Sequence, residues 1–384
     1  MQIRRTLAIV TAALAALTVP TGIAAAAPVT ATGTYIVSLA PGSVADPVAQ
    51  LAATRLGASV DHVYTAALTG FAVTLPTTEA ARLTGLPGVA AVEPDRPVRL
   101  TTTESQAPWD LDRVDQRALP LSSSYSYTAT GAGVTAYVID TGIRFSHTDF
   151  GGRAVSGYDA IDGGTADDCN GHGTHVAGTV GGRRYGVAKG VRLVAVRVLD
   201  CAGGGTTAGV IAGIDWVTAH HVAGAPAVAN LSLGGAGSTA IDQAVQRSIA
   251  SGVTYAVAAG NGDAAGNPLD ACTSSPARVA AALTVGATDA TDAPASFSNY
   301  GSCVDLFAPG VDVTSDWETS DTAANTLSGT SMATPHVAGV AALYLQSHPT
   351  ASPATVSSAV LALSTKHEVN TTRTAHNDLL YSDF

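Results

Sequence analysis

The sequence is poor in charge. Aspartate, glutamate, lysine and arginine make up 13% of its 384 residues, against 46% hydrophobic, and the mean hydropathy is +0.24. A disordered chain needs the opposite balance, so this one has apolar side chains enough for a large core. Positive charge is scarcest: 19 basic residues face 30 acidic ones, for a net charge of −11. Phosphate backbones and anionic lipid surfaces are held by excess positive charge, so neither nucleic acid nor a membrane surface is an expected partner. The four cysteines include no C-x-x-C pair, which speaks against zinc. The 40 glycines follow no period, which excludes collagen-like and low-complexity readings. Past the N-terminal stretch, no apolar run has bilayer-spanning length.

That N-terminal stretch reads as a leader. Arg4 and Arg5 precede an apolar segment at 7–19, and small residues lead into Ala24-Ala25-Ala26-Ala27. Basic, apolar and small segments in that order make a secretory signal, with cleavage expected near Ala26; the competing reading, a membrane anchor, suffers from the short apolar segment. Residues 1–26 are therefore a signal peptide and the product is expected outside the cell. Export favours disulfides over free thiols. Cys169, Cys201, Cys272 and Cys303 permit three pairings, which spacing leaves open.

Two regions follow. In the first, 27–101, residues 34–39, 60–64, 71–75 and 89–92 read as strands, 48–56 as a helix closed by Gly57, and 79–83 as a second helix. The order β-α-β-β-α-β predicts a small two-layer α+β domain of ferredoxin-like type. Its chemistry is thin: His62 is its only histidine, and Asp61 reads as a strand-surface charge. The polar stretch 101–106 reads as an exposed linker open to cleavage. In the second region, 102–384, apolar runs at 134–139, 193–199, 227–231, 253–258 and 283–285 alternate with helical stretches at 210–219 and 240–250. Such runs suit parallel strands covered on both faces, so the fold class is α/β, a doubly wound, mostly parallel sheet with helices on both faces. Ligands of such sheets sit beyond the carboxyl ends of the strands.

Three segments carry chemistry at such places. The first apolar run ends in Asp140-Thr141-Gly142. The segment Asn170-Gly171-His172-Gly173-Thr174-His175 holds two histidines three apart. The segment Gly329-Thr330-Ser331-Met332-Ala333 opens an apolar helix running to Leu345, and a helix N-terminus suits a developing oxyanion. A serine needs a base to take its proton, and the base needs an acid to fix its tautomer. Asp140, His172 and Ser331 supply the three types. The serine motif fails the G-x-S-x-G pattern of lipases, and the histidine spacing fails the H-E-x-x-H pattern of zinc peptidases.

On these motifs the chain resembles the subtilisin-type serine proteases of the proteinase K and aqualysin branch, which share the chain order Asp, His, Ser. The resemblance covers 102–384. More loosely, 27–101 is similar to that family's inhibitory propeptide, on its strand pattern and on Ala91-Val92-Glu93-Pro94-Asp95.

The resemblance implies a secreted, self-processing zymogen, monomeric, that hydrolyses protein and peptide substrates with its own propeptide as intramolecular inhibitor. It makes Asp140 the orienting acid, His172 the general base and Ser331 the nucleophile, and leaves His147, His175 and His336 structural. Asn261 matches the oxyanion-hole asparagine. Gly203, Gly204 and Gly205, and Ser232, Leu233 and Gly234, match the segments that flank bound peptide; Ala259 and Gly260 match the pocket for the residue before the scissile bond. It implies disulfides Cys169–Cys201 and Cys272–Cys303. It also implies structural calcium, at Asp112, Asp115, Gln116, Ser122 and Ser124, and at Asp305 with the carbonyls of Ala280 and Ala282. The stretch 262–271 is longer than its aqualysin counterpart, and no C-terminal extension of the kind in aqualysin-like precursors is expected. A catalytically silent binding module and an ester hydrolase are the rival functions.

Overall fold

The computed structural model describes residues 31–66, 68–95 and 102–384; the leader at 1–26, its cleavage point and Thr101 lie outside them. The chain divides into two compact units, with the boundary between Val98 and Arg99.

In the N-terminal unit β1 (Thr32–Leu39) is followed by α1 (Ala45–Leu56), β2 (Ser59–Tyr64), β3 (Gly70–Pro76), a 3-10 helix at Thr77–Gly85 and β4 (Val89–Pro94). The strands form an antiparallel sheet in the order β2-β3-β1-β4. The expected second helix is thus a 3-10 turn. α1 stops where Gly57 turns left-handed at φ 67°, a conformation that glycine adopts without a Cβ clash. Val48, Ala49, Ala52 and Leu56 lie on one face of α1 and share a core with Val37, Phe71 and Val73 of the sheet.

The C-terminal unit opens with β5 (Thr102–Ser105), α2 (Trp109–Val114) and β6 (Ser124–Tyr127). Residues 102–105, expected to be part of an exposed linker, are largely exposed but paired antiparallel with β6, and Glu104 is held by Lys189 at 2.7 Å. The polar side chains of 102–105 gave no sign of this, because the ladder itself is made by backbone groups, with one side-chain bond between the Thr103 and Ser126 hydroxyls at 3.1 Å. Then come β7 (Thr135–Asp140), β8 (Ala154–Asp159), α3 (His172–Gly181), β9 (Arg192–Arg197), α4 (Thr207–His220), β10 (Ala227–Leu231) and β11 (Gly235–Ala236). They are followed by α5 (Thr239–Ala250), β12 (Val253–Ala258), β13 (Ser274–Ser275), β14 (Leu283–Thr288), β15 (Leu306–Pro309), β16 (Val313–Asp316), β17 (Ala324–Leu327), α6 (Thr330–Ser347) and α7 (Pro353–Leu363).

Seven strands make one sheet in the order β15-β14-β12-β10-β7-β9-β8, and every neighbouring pair is parallel. Alternate residues feed opposite cores. Ala136 and Val138 of β7 join Val176 of α3 and Val337 of α6, whereas Tyr137 and Ile139 join Ile214 of α4 and Val245 of α5. Burial on both faces is why these strands read as continuous apolar runs. The chain runs from β7 to the edge strand β8, returns to β9 between the two, then crosses β7 to β10 and goes onward through β12, β14 and β15. The winding direction therefore reverses beside β7, where a doubly wound sheet opens a crevice at its carboxyl edge. No helix among the described residues is long and apolar enough to cross a membrane.

Candidate active site

The strand ends at this reversal carry the segments singled out in the sequence. β7 ends in Asp140, β10 runs into Ser232-Leu233-Gly234, and β12 runs into Ala259-Gly260-Asn261. His172 is the first residue of α3, and Ser331 lies in the first turn of α6.

Asp140 is fully buried, and its Oδ1 lies 2.7 Å from His172 Nδ1. The same oxygen accepts the Thr141 N–H at 2.7 Å, while Oδ2 has no hydrogen-bond donor. With an acceptor at Nδ1, that nitrogen carries the ring proton of neutral His172 and Nε2 is left to accept one. Burial by itself would depress the ring's pKa. The charge of Asp140, its hydrogen bond and the charge of Asp168 outweigh this, so the pKa lies above the ordinary imidazole value.

The Ser331 hydroxyl donates to the carbonyl of Ser232 at 3.0 Å, and no hydrogen bond joins it to the His172 ring. Catalytic hydrogen bonds without substrate are often long or turned aside and tighten when substrate arrives. Pro335 shapes the backbone here. It has no N–H to give the Ser331 carbonyl one helical turn earlier, and that carbonyl accepts from Ser232 Oγ at 2.8 Å instead. Ser232 Oγ in turn accepts from Asn230 Nδ2 at 2.8 Å.

Asn261 is oriented by one neighbour. The backbone N–H and the hydroxyl of Thr330 both donate to Asn261 Oδ1 at 2.8 Å. The amide Nδ2 is thereby turned from Thr330 and left as a donor. A cavity of about 480 Å³ reaches from Ser331 and Asn261 past Ala259 and Gly260, and carries no charged side chain in its lining. Asn299 braces its floor: Nδ2 donates to the Ala259 carbonyl at 2.8 Å, and Oδ1 accepts the N–H groups of Gly262 and Leu269. Leu269, from the long 262–271 stretch, also lines this cavity. A second cavity, beside His172, is lined by Gly203, Gly205, Ser232, Leu233 and Gly234. Gly204 does not line it; its N–H is held by Asp200 Oδ1 at 2.9 Å.

The other histidines are occupied elsewhere. His175 is buried against the Val313 carbonyl at 3.1 Å, and burial lowers its pKa to about 4. His336 Nε2 meets Asp110 Oδ2 at 2.9 Å, and His147 Nε2 meets the Ala323 carbonyl at 2.9 Å. Both disulfides are formed, Cys169–Cys201 with Cα atoms 5.0 Å apart and Cys272–Cys303 with Cα atoms 5.3 Å apart.

The oxygen cluster near the start of the unit is knitted around Asp112. Its carboxylate accepts Ser122 Oγ at 2.9 Å, the N–H of Ser123 at 2.6 Å, and the Gln116 amide. Ser124 Oγ lies 2.7 Å from Ser122 Oγ. Asp115 accepts the Ser126 N–H at 2.7 Å through one oxygen, and its other oxygen is buried without a donor. Burial raises Asp115 to about 6, against the help of the Ser126 bond. Asp305 is likewise raised to about 6 by burial, and its one backbone donor is Thr284 N–H at 2.8 Å. No group of three or more His, Cys, Asp or Glu residues is placed to hold a metal among the described residues.

Sequence reasoning missed Thr141, Asp168, Asn299 and Thr330. Thr141, Asn299 and Thr330 act by hydrogen bonds between distant segments, and Asp168 by bonds to the turn that follows it and to Thr141, none of which shows as a pattern of residue types.

Comparison with known proteins gives a consistent picture. A profile described as "Subtilase family" matches residues 131–378, and one described as "Peptidase inhibitor I9" matches residues 34–101. An extracellular serine proteinase of Thermus sp. (strain Rt41A) is 62% identical over 85% of this chain and 79% of its own length. Alkaline serine exoprotease A of Vibrio alginolyticus is 52% identical over 84% of this chain; the match spans 60% of that protein. A crystal structure of a cold-adapted subtilisin-like serine proteinase superposes with a TM-score of 0.69 at 55% identity, over 72% of this chain and 99% of that one.

Proposed function

The chain belongs to the subtilase family, and from that premise we propose that it is a secreted serine endopeptidase made as a self-processing zymogen, with Asp140, His172 and Ser331 as its catalytic residues. The observation that carries this reading is the buried carboxylate of Asp140 at 2.7 Å from His172 Nδ1, at the sheet edge where Asn261 and Ser331 share a cavity.

The reaction follows from the groups present. Ser331 Oγ attacks the carbonyl carbon of the scissile peptide as its proton passes to His172 Nε2. Asp140 keeps Nδ1–H in place and stabilises the imidazolium. The carbonyl oxygen gains charge and accepts from Asn261 Nδ2 and from the N–H of Ser331. His172 then gives its proton to the leaving amine, the C–N bond breaks and an acyl-enzyme remains. Water repeats the sequence, with His172 taking its proton and returning it to Ser331. Gly203, Gly205, Ser232, Leu233 and Gly234 offer mainly backbone to the substrate, which supports broad specificity. The uncharged cavity beyond Ala259 and Gly260 suits an apolar or aromatic side chain before the scissile bond.

Residues 27–101 serve as inhibitory propeptide, 1–26 as signal peptide and 102–384 as the enzyme. Cleavage before Thr102 leaves 102–105 to start the mature chain as β5. The mature enzyme works as a monomer on proteins and peptides, without nucleic acid or membrane. Subtilases commonly bind calcium. The oxygen-only donor set of Asp112, Asp115, Gln116, Ser122 and Ser124 fits that ion, and the undonated buried oxygen of Asp115 is the group a cation would satisfy. Asp305, with the carbonyls of Ala280 and Ala282, is the second candidate. Calcium there supplies positive charge to buried carboxylates and takes no part in the chemistry.

Expression of Ser331→Ala tests the reading. We expect a precursor of unprocessed size without caseinolytic activity, since loss of this serine in subtilisin costs about 10⁶-fold in turnover. A processed, active variant defeats it.

A further inference from the structure

Helix α3 begins at His172, so the imidazole stands at the end of the helix where partial positive charge gathers. That charge disfavours protonation of the ring, although a general base must accept a proton. The first N–H groups of α3 are also left without partners inside the helix.

Both problems meet at Asp168. Its Oδ1 accepts the N–H of Asn170 at 2.9 Å, the N–H of Gly171 at 3.0 Å and the hydroxyl of Thr141 at 2.9 Å. Its Oδ2 accepts the N–H of Thr174 at 2.9 Å and the hydroxyl of Thr174 at 2.6 Å. Thr141, which follows Asp140 in the chain, accepts the Gly173 N–H at 2.9 Å. Asn170 Oδ1 accepts the N–H of His172 itself at 3.2 Å. The first three amides of α3 are thus each met by a side chain, and Asp168 joins their support to the strand that bears the orienting acid. The turn is braced from outside by Cys169–Cys201 and by Asn170 Nδ2 on the Cys201 carbonyl at 3.0 Å.

We propose that Asp168 is a positioning residue of this site: its single carboxylate fastens the end of β7 to the first turn of α3, and its charge offsets the positive end of that helix so that His172 remains a competent base near neutral pH. The proposal rests on His172 being the base. Four other charged or titratable groups bear on it. Asp140 faces the ring from β7, and His175 stands one turn along α3. Glu318, after β16, presses on Gly171 and feels Asp168, with Arg144 beside it. Asp140 outweighs Asp168 in raising the ring, so removing Asp168 weakens the base without abolishing it.

The test is the pH profile of kcat/KM for mature Asp168→Asn on a peptide anilide. We expect kcat to fall, KM to hold, and the acid limb to move down by roughly one unit, the scale of a charge at a helix terminus. Thr174→Val loses a hydroxyl donor but keeps the charge, so its acid limb should stay in place. An Asp168→Asn limb at the parental position overturns the proposal. If Asp168→Asn does not mature, the His172 ring is titrated by NMR in the inactive Ser331→Ala precursor with and without D168N, where an unmoved ring pKa is equally contrary. If neither folds, Asp168→Glu decides: a lowered kcat with the limb in place supports the proposal, and a limb lowered with the charge retained contradicts it. His172→Ala runs alongside; an active H172A defeats the underlying assignment and not this inference alone.

Discussion

Which way the Asn261 amide faces is settled by Thr330, whose N–H and hydroxyl both point at Asn261 Oδ1. Thr330→Val keeps the backbone donor and the volume but loses the hydroxyl, so the amide is held by one bond where two held it. We expect kcat to fall by about tenfold, less than the 10²–10³ found in a related subtilisin when the oxyanion donor itself is removed. Steady-state kinetics on a peptide anilide check this; parental kcat contradicts it. Ser331 shows the same dependence on neighbours. Its carbonyl reaches Ser232 because Pro335 cannot donate to it. Asp140, His172, Ser331 and Asn261 could be nominated from the sequence because each sits in a short motif. Thr330 was not, because its role exists only once 261 and 330 are brought together by folding.

At the level of elements, the join between α3 and the β16–β17 hairpin has an unusual component. Asp316 at the end of β16 is fully buried, neither of its carboxylate oxygens has a donor, and Asp149 is its neighbour at Gly182. Burial, reinforced by the negative charge of Asp149, raises its pKa to about 9. Asp316 is therefore protonated in the native protein at neutral pH and ionised when unfolded. A folded pKa above the unfolded one gives stability that is present below about pH 4 and is lost as pH climbs toward 9. Asp316→Asn keeps the shape and removes the proton, so its melting temperature should exceed the parent's at pH 8 and converge with it at pH 4. Melts of fluorophosphonate-inactivated protein check this; parallel curves across the range contradict it. The elements themselves were unevenly legible. β7, β10 and β12 were read almost to the residue because burial on both faces makes them mostly apolar. β8 carries serine, glycine and aspartate at the sheet edge, and β15 is four residues ending in proline, so neither showed. β5 looked like linker because hydrogen bonding of a backbone leaves no trace in side-chain polarity.

For the whole molecule, the proposed cation sites carry a prediction about stability. An ion bound only by the native state stabilises it by about 3 kcal/mol at a hundredfold excess over Kd. Chelator should therefore lower the melting temperature of the inactivated mature enzyme, and Asp115→Asn should remove most of that response; a melting temperature indifferent to chelator contradicts the calcium reading. The order of the two units was plain from their strand patterns, and the class of the large one from its alternation of apolar runs and helices. The proposed chemistry turns on something narrower: one serine is activated by one histidine. Its most direct measurement is labelling of the mature enzyme with a fluorophosphonate, followed by peptide mapping. Stoichiometric modification at Ser331, with loss of activity in step, and no modification in His172→Ala are the expected results. Modification at another serine, or full labelling of His172→Ala at the parental rate, contradicts that chemistry.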